Sequence, residues 1–138
     1  VDIGSNNNST ADIARQILEG ISEDDLAHHG GKLEFDENHE LDLNGDTGIS
    51  AGVKDELASI IGEKRIIPIF SEVTGPGNNA QYTIVRFACV RIMDVKLTGK
   101  MKSKRVIVQP ANLVAIGGIP ATGEQLSDFI YSPVYLIR

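Results

Sequence analysis

Few residues in this chain have types and spacing that could do chemistry. Asp42, Asn44 and Asp46 occupy positions 1, 3 and 5 of a calcium-loop pattern, with Ser50 at position 9. Such a loop also needs glycine at position 6 and a bidentate acid at position 12. Thr47 and Val53 stand there instead. An Asx-rich turn leading into a helix explains the same residues, and any calcium is expected to bind no tighter than the millimolar range of weak extracellular sites. Ser22, Glu23, Asp24 and Asp25 lie just before His28 and His29. An acidic first turn complements a helix dipole, which explains that cluster without a metal. The run from Thr74 to Asn79 is glycine-rich but lacks the lysine and following helix of a phosphate loop. Cys89 is the single cysteine, so no internal disulfide forms. Its apolar neighbours make it a small buried hydrophobe rather than a nucleophile, which would want an electropositive, partly exposed setting. No Ser-His-Asp spacing or paired carboxylates can be argued. The reading is therefore of a chain with no catalytic residues and no cofactor.

The remaining group is positive. Lys96, Lys100, Lys102, Lys104 and Arg105 flank one connection in a chain of net charge -6. Such a run is usually a solvated loop, and its functional form is a docking patch for an acidic partner. The acidic balance of the whole chain argues against nucleic acid, whose binding needs a basic footprint. It also disfavours anionic lipid.

These residues need elements to position them. Gln81 to Leu97 runs without Gly or Pro and is rich in β-branched and aromatic residues, the composition of a strand. Thr83, Val85, Phe87 and Cys89 alternate on one face, and Tyr82, Ile84, Ala88, Val90 and Ile92 on the other, with Arg86 among them. Both faces are mostly apolar, which predicts a central strand covered on both sides, with Val85, Phe87 and Cys89 buried. Met93, Val95 and Leu97 fall in phase with Arg91, so a bulge or bend is expected near that arginine.

Around this strand the chain reads in order. Val1 to Ser9 is a polar run of low expected order. Thr10 caps a helix from Ala11 to about Gly20, whose apolar stripe includes Ile13 and Ile17. Ser22 and Asp25 form a capping-box pattern for a short helical turn. Leu33 and Phe35 alternate with charges, predicting a strand over Lys32 to Phe35 that pairs through a turn with a second over Glu40 to Leu43. A second amphipathic helix is expected from Ser50 to Ile61, stopped by Gly62. Arg65 to Val73 is a strand whose Pro68 places it at an edge or leaves a gap. Lys104 to Ile116 is a strand broken at Pro110, Gly117 to Gly123 a loop, and Tyr131 to Arg138 a last strand. Segregated helices and strands indicate α+β: a mainly antiparallel sheet of four or more strands with two amphipathic helices packed on it. The length of 138 residues fits one domain spanning residues 1–138. No apolar run is long enough to span a membrane, and no signal peptide is read.

Several stretches together resemble the C-terminal, non-membrane part of TadE/TadG-like proteins of the Tad system, which assembles Flp-type pili. They are Ile3 to Gly31, the block from Asn44 through Gly62, Arg65 to Phe70, and Ile84 to Gly99. The Asp46-Thr47-Gly48 turn before a helix, the Ile66 to Phe70 strand and a core of Val85, Phe87, Ala88, Arg91 and Ile92 carry the likeness. Ser132 to Leu136 matches the closing strand. The resemblance implies an extracytoplasmic, non-enzymatic structural or assembly component of a pilus system at the cell envelope. It would face the periplasm or the exterior, and its partners would be other pilus-assembly or envelope proteins. The family's N-terminal membrane helix is missing here, so the chain, opening at Val1, reads as a fragment of a membrane-anchored protein. On this reading the docking surface is a sheet edge or the Thr98 to Ser103 loop with its lysines. The alternative is an extracytoplasmic ligand- or calcium-binding module using the Asp42 to Asp46 loop.

Overall fold

A computed structural model describes residues 1–4, 8–48, 51–114, 127–128 and 130–131. The helices are α1 (Thr10–Glu19), α2 (Glu23–Ala27) and α3 (Lys54–Ser59). The strands are β1 (Leu41–Gly45), β2 (Lys64–Thr74), β3 (Ala80–Lys96), β4 (Arg105–Pro110), β5 (Leu113–Val114), β6 (Ser127–Asp128) and β7 (Ile130–Tyr131). This is the α+β architecture expected, with a mainly antiparallel sheet. Among the described residues no helix is long and apolar enough to cross a membrane.

β3 organises the sheet. Along one edge it pairs antiparallel with β2, from Arg91 opposite Lys64 to Gln81 opposite Thr74. Its other edge is tiled by three shorter strands. β1 covers Ala80 to Ile84, β6 runs parallel beside Phe87 and Ala88, and β4 covers Val90 to Lys96. β2 pairs only with β3 among the described residues, so Pro68 sits on an edge strand, as its missing N–H requires. β5 and β7 form a separate parallel pair.

Two bulges decide which side chains of β3 reach which face. Ile69 stands opposite Arg86 but Phe70 stands opposite Ile84, so Val85 is an extra residue on β3. An extra residue shifts the two-residue alternation by one. Ile84 and Phe87, expected on opposite faces, consequently pack in one cluster with Ile3 and Leu43. The expectation that Val85 and Phe87 are buried is corrected: both are half-buried, while Ile84 and Cys89 are completely covered. The second bulge lies close to where it was expected. Ile92 pairs with Val108 and Asp94 with Ile107, leaving Met93 out of the ladder. Beyond it Val95 joins Ile92 in the second cluster, with Val90, Ile60, Ile17, Leu57 and Ile67. Cys89 and Val90 are adjacent and both buried, so the middle of β3 is covered on both sides.

Three local expectations change. The cap of α1 is Ser9, not Thr10: its backbone is still extended, and its Oγ accepts the Asp12 N–H at 3.1 Å. The hairpin over 32–43 is absent. Leu33 and Phe35 are not in a strand; they pack on the Ile84 cluster, with the Phe35 and Phe87 rings edge-on at 5.7 Å. β1 finds its ladder on β3 instead, and the turn before it is held by Asp36 Oδ1, which accepts from the N–H groups of Asn38 and Glu40. The second helix is shorter than expected, a 3-10 turn over Ala51–Val53 followed by α3. The expected closing strand from 131 to 138 lies outside the described residues except for Tyr131, as does the loop from 117 to 123.

Arginines from the sheet hold the helices down. α1 has no basic residue in its last turn, yet its terminal carbonyls need donors. Arg65 of β2 supplies them, donating from Nε to the Ile17 carbonyl at 2.9 Å and from Nη2 to that of Leu18 at 3.3 Å. Past α3, Gly62 turns the chain at φ 91°. Its N–H donates to the Ile92 carbonyl at 2.7 Å, and its own carbonyl accepts from Arg91.

Candidate functional site

The connection from β3 to β4 places the positive group. Leu97 is buried and anchors its start. Gly99 then takes φ 90°, a left-handed conformation that side chains resist. A Cβ there would also lie 3.0 Å from Ser103 Oγ. A 3-10 turn over Met101–Ser103 closes the connection, with the Ser103 N–H and Oγ both donating to the Lys100 carbonyl at 2.8 Å. Lys100 and Lys102 are thereby held out in solvent, and Lys104 is half-buried. The ladder brings Lys96 directly opposite Arg105. That like-charge pairing is offset by Asp94, whose carboxylate lies 3.6 Å from the Arg105 guanidinium. Both partners of this pair are about half exposed, so it adds little stability. The five residues therefore lie on a turn and on the strand ends that flank it.

The strand leading away from this turn lies on the edge of β3 opposite the Pro68 strand, and a sheet edge was one of the two docking surfaces expected. All six residues of β4 are exposed, among them the consecutive apolar residues Val106, Ile107 and Val108. The signal was present in the sequence, since Arg105 to Val108 contains no polar residue after its first. Charge and exposed apolar surface side by side are the usual make-up of a docking surface.

The other sequence candidates are dispersed or used up structurally. Asp42 and Asn44 lie in β1, not in a loop. Asp42 accepts from Thr83 Oγ1 at 3.0 Å. Asn44 bonds to Asn8 and donates to Asn79 at 2.8 Å. Asp46 Oδ1 accepts the Gly48 N–H at 2.7 Å, which is an Asx turn. Ser50 lies outside the described residues. Among the described residues no group of His, Cys, Asp and Glu comes together in a way that would hold a metal. Ser22 and Asp25 make the reciprocal capping box at the start of α2. Asp25 is also salt-bridged to Arg15 at 2.5 Å. The Arg15 hydrogen bond and the donors of Ser22 hold its carboxyl at about 2, below the ordinary value and against the upward pull of burial. His29 bonds through Nε2 to the Ile3 carbonyl. Burial pushes the Cys89 thiol up, against the opposing pull of Lys64 and Arg91.

The first four residues, expected to be poorly ordered, form a buried polar knot. Asp2 is wholly buried. It accepts from the Gly4 N–H at 2.8 Å, the Asn8 N–H at 3.1 Å and the Gln16 amide at 2.8 Å. Its own N–H donates to Asn44 O. A buried carboxylate with this many donors is a structural anchor. The only hint in the sequence was its position between Val1 and Ile3.

Clefts are present on the surface of the described residues, two of them with a bearing on the candidates above. One, of about 380 Å³, lies between α1 and α2 and is lined by Asp12, Arg15, Glu19, Asp24 and His28 among others. The other, of about 290 Å³, is lined by the apolar residues Ile13, Ile17, Val53, Leu57, Leu97 and Val106 together with Asn8 and Asp46 among others. Comparison of the chain with protein-family models, curated proteins and solved structures finds no significant match.

Proposed function

We propose that this chain is a non-enzymatic assembly component of a Tad/Flp-type pilus system at the cell envelope, contributing a protein-docking surface. The reading rests on the resemblance of its helix and strand motifs to TadE/TadG-like proteins. One structural observation supports it most: the basic β3–β4 turn stands beside a strand that pairs only with β3 among the described residues and has three consecutive exposed apolar residues. The charges would steer an acidic partner, and the apolar strand would hold it once it has docked.

The test reverses Lys96, Lys100 and Lys102 together to glutamate. Exposed charges contribute little to folding, so the thermal midpoint is expected to stay within about 2 °C of the parent. Capture of envelope components from membranes should fall and should lose its dependence on salt. Unchanged capture removes the lysines from the account. If the unmodified domain captures no envelope component, the assembly reading fails.

A further inference from the structure

The register of β4 defines the partner more closely, on the reading that this surface docks protein. Among the described residues β4 pairs only with β3, so its outer row of N–H and C=O groups faces away from the sheet. Edge strands are ordinarily protected by charge, proline or a bulge. Here Arg105 and Pro110 stand at the two ends of the strand and the Met93 bulge lies on β3, while Val106 to Val108 carry neither charge nor proline at the centre of the edge. The two faces of β4 differ. Val106 and Val108 stand opposite Val95 and Ile92 and extend that apolar row outward. On the other face Arg105 stands opposite Lys96, beside the lysine turn.

We propose that the outer edge of β4 binds an extended segment of another protein by strand addition. The segment has apolar residues at alternate positions and acidic residues between them toward the β3–β4 turn. Main-chain bonds would supply affinity, and the two rows of side chains would supply selection. A strand placed there continues the Val106 and Val108 row with its apolar residues. Its intervening residues stand next to Arg105, at the end of the strand that leads from the lysine turn, where the positive charges outnumber the single Asp94 carboxylate and negative charge is favoured.

A capped peptide of alternating glutamate and valine, titrated into the intact isotope-labelled chain, tests this. Amide shifts should concentrate in Arg105 to Gln109, and binding should weaken about tenfold at high salt. N-methylation of alternate peptide amides should abolish it. The K100E/K102E variant should lose about tenfold for this peptide and gain for the lysine–valine counterpart. Shifts elsewhere, binding that survives N-methylation, or no binding would overturn strand addition. Concentration-dependent protection of the β4 amides without peptide would make the occupant a second copy and also overturn it. If envelope components are still captured but the peptide does not bind, this inference fails and the docking function stands. Peptide binding without capture sinks the docking function instead.

Discussion

Asp25 shows how much one side chain can organise. Its carboxylate caps α2 through Ser22 and ties that helix to α1 through Arg15. Its carboxyl is held at about 2 when folded, below the roughly 3.9 of an unpaired aspartate. The folded state therefore binds fewer protons, and the contribution is complete above the unfolded value and lost as pH falls through the folded one. Asp25→Asn is expected to cost about 1–3 kcal/mol near neutrality. Denaturant midpoints of parent and variant should converge as the pH falls from about 5 to about 2. A gap that does not change with pH would show that the cap acts without its charge.

At the scale of the element, β3 is governed by its bulges. Alternation alone predicts that Val85 and Phe87 share a buried face. The extra residue at Val85 instead gives the core Ile84 and Phe87 and leaves Val85 half-covered. Ile84→Ala should therefore cost about 2–5 kcal/mol, the range for a buried large aliphatic residue. Val85→Ala should cost about 1 kcal/mol. Equal losses in chemical denaturation would place the bulge elsewhere. Cys89, in the same stretch, should react with thiol reagents only on unfolding, because its side chain is covered and its thiol is held protonated.

The whole molecule is shaped by the curl of that strand. The Tyr82 hydroxyl donates to the Asp46 carbonyl at 2.9 Å, which fixes Asp46 beside the first residues of β3. Leu97 follows its last residue. A straight strand would hold the two about 50 Å apart, yet Asp46 and Leu97 line one cleft of about 290 Å³. β3 is therefore strongly curved, as bulges allow, and α1 contributes Ile13 and Ile17 to the lining of the same cleft. Spin labels at the exposed positions Thr47 and Thr98 should report a separation well short of that 50 Å. A distance close to the straight-strand value would refute the curl.

The sequence by itself determined what depends on local chemistry. β-branched density marked β3 almost to the residue, Pro68 marked an edge strand, and Ser22 with Asp25 marked a capping box. Gly20 marked the end of α1, and the disturbed phase beyond Arg91 marked a bulge. Each of these follows from neighbours a few residues apart. Tertiary structure decided what depends on partners far along the chain. β1 could pair with the segment before it or with β3, and the longer ladder on β3 won. The Val85 bulge arises from register with β2, so nothing in the residues around it announced the change of face. Asp2 was legible only as a polar residue near a terminus, because its donors come from Gly4, Asn8 and Gln16 at once. The five positive residues were visible as a group. The exposure of the apolar strand beside them was not, because hydrophobic pattern predicts a strand without saying whether another strand lies on its outer side.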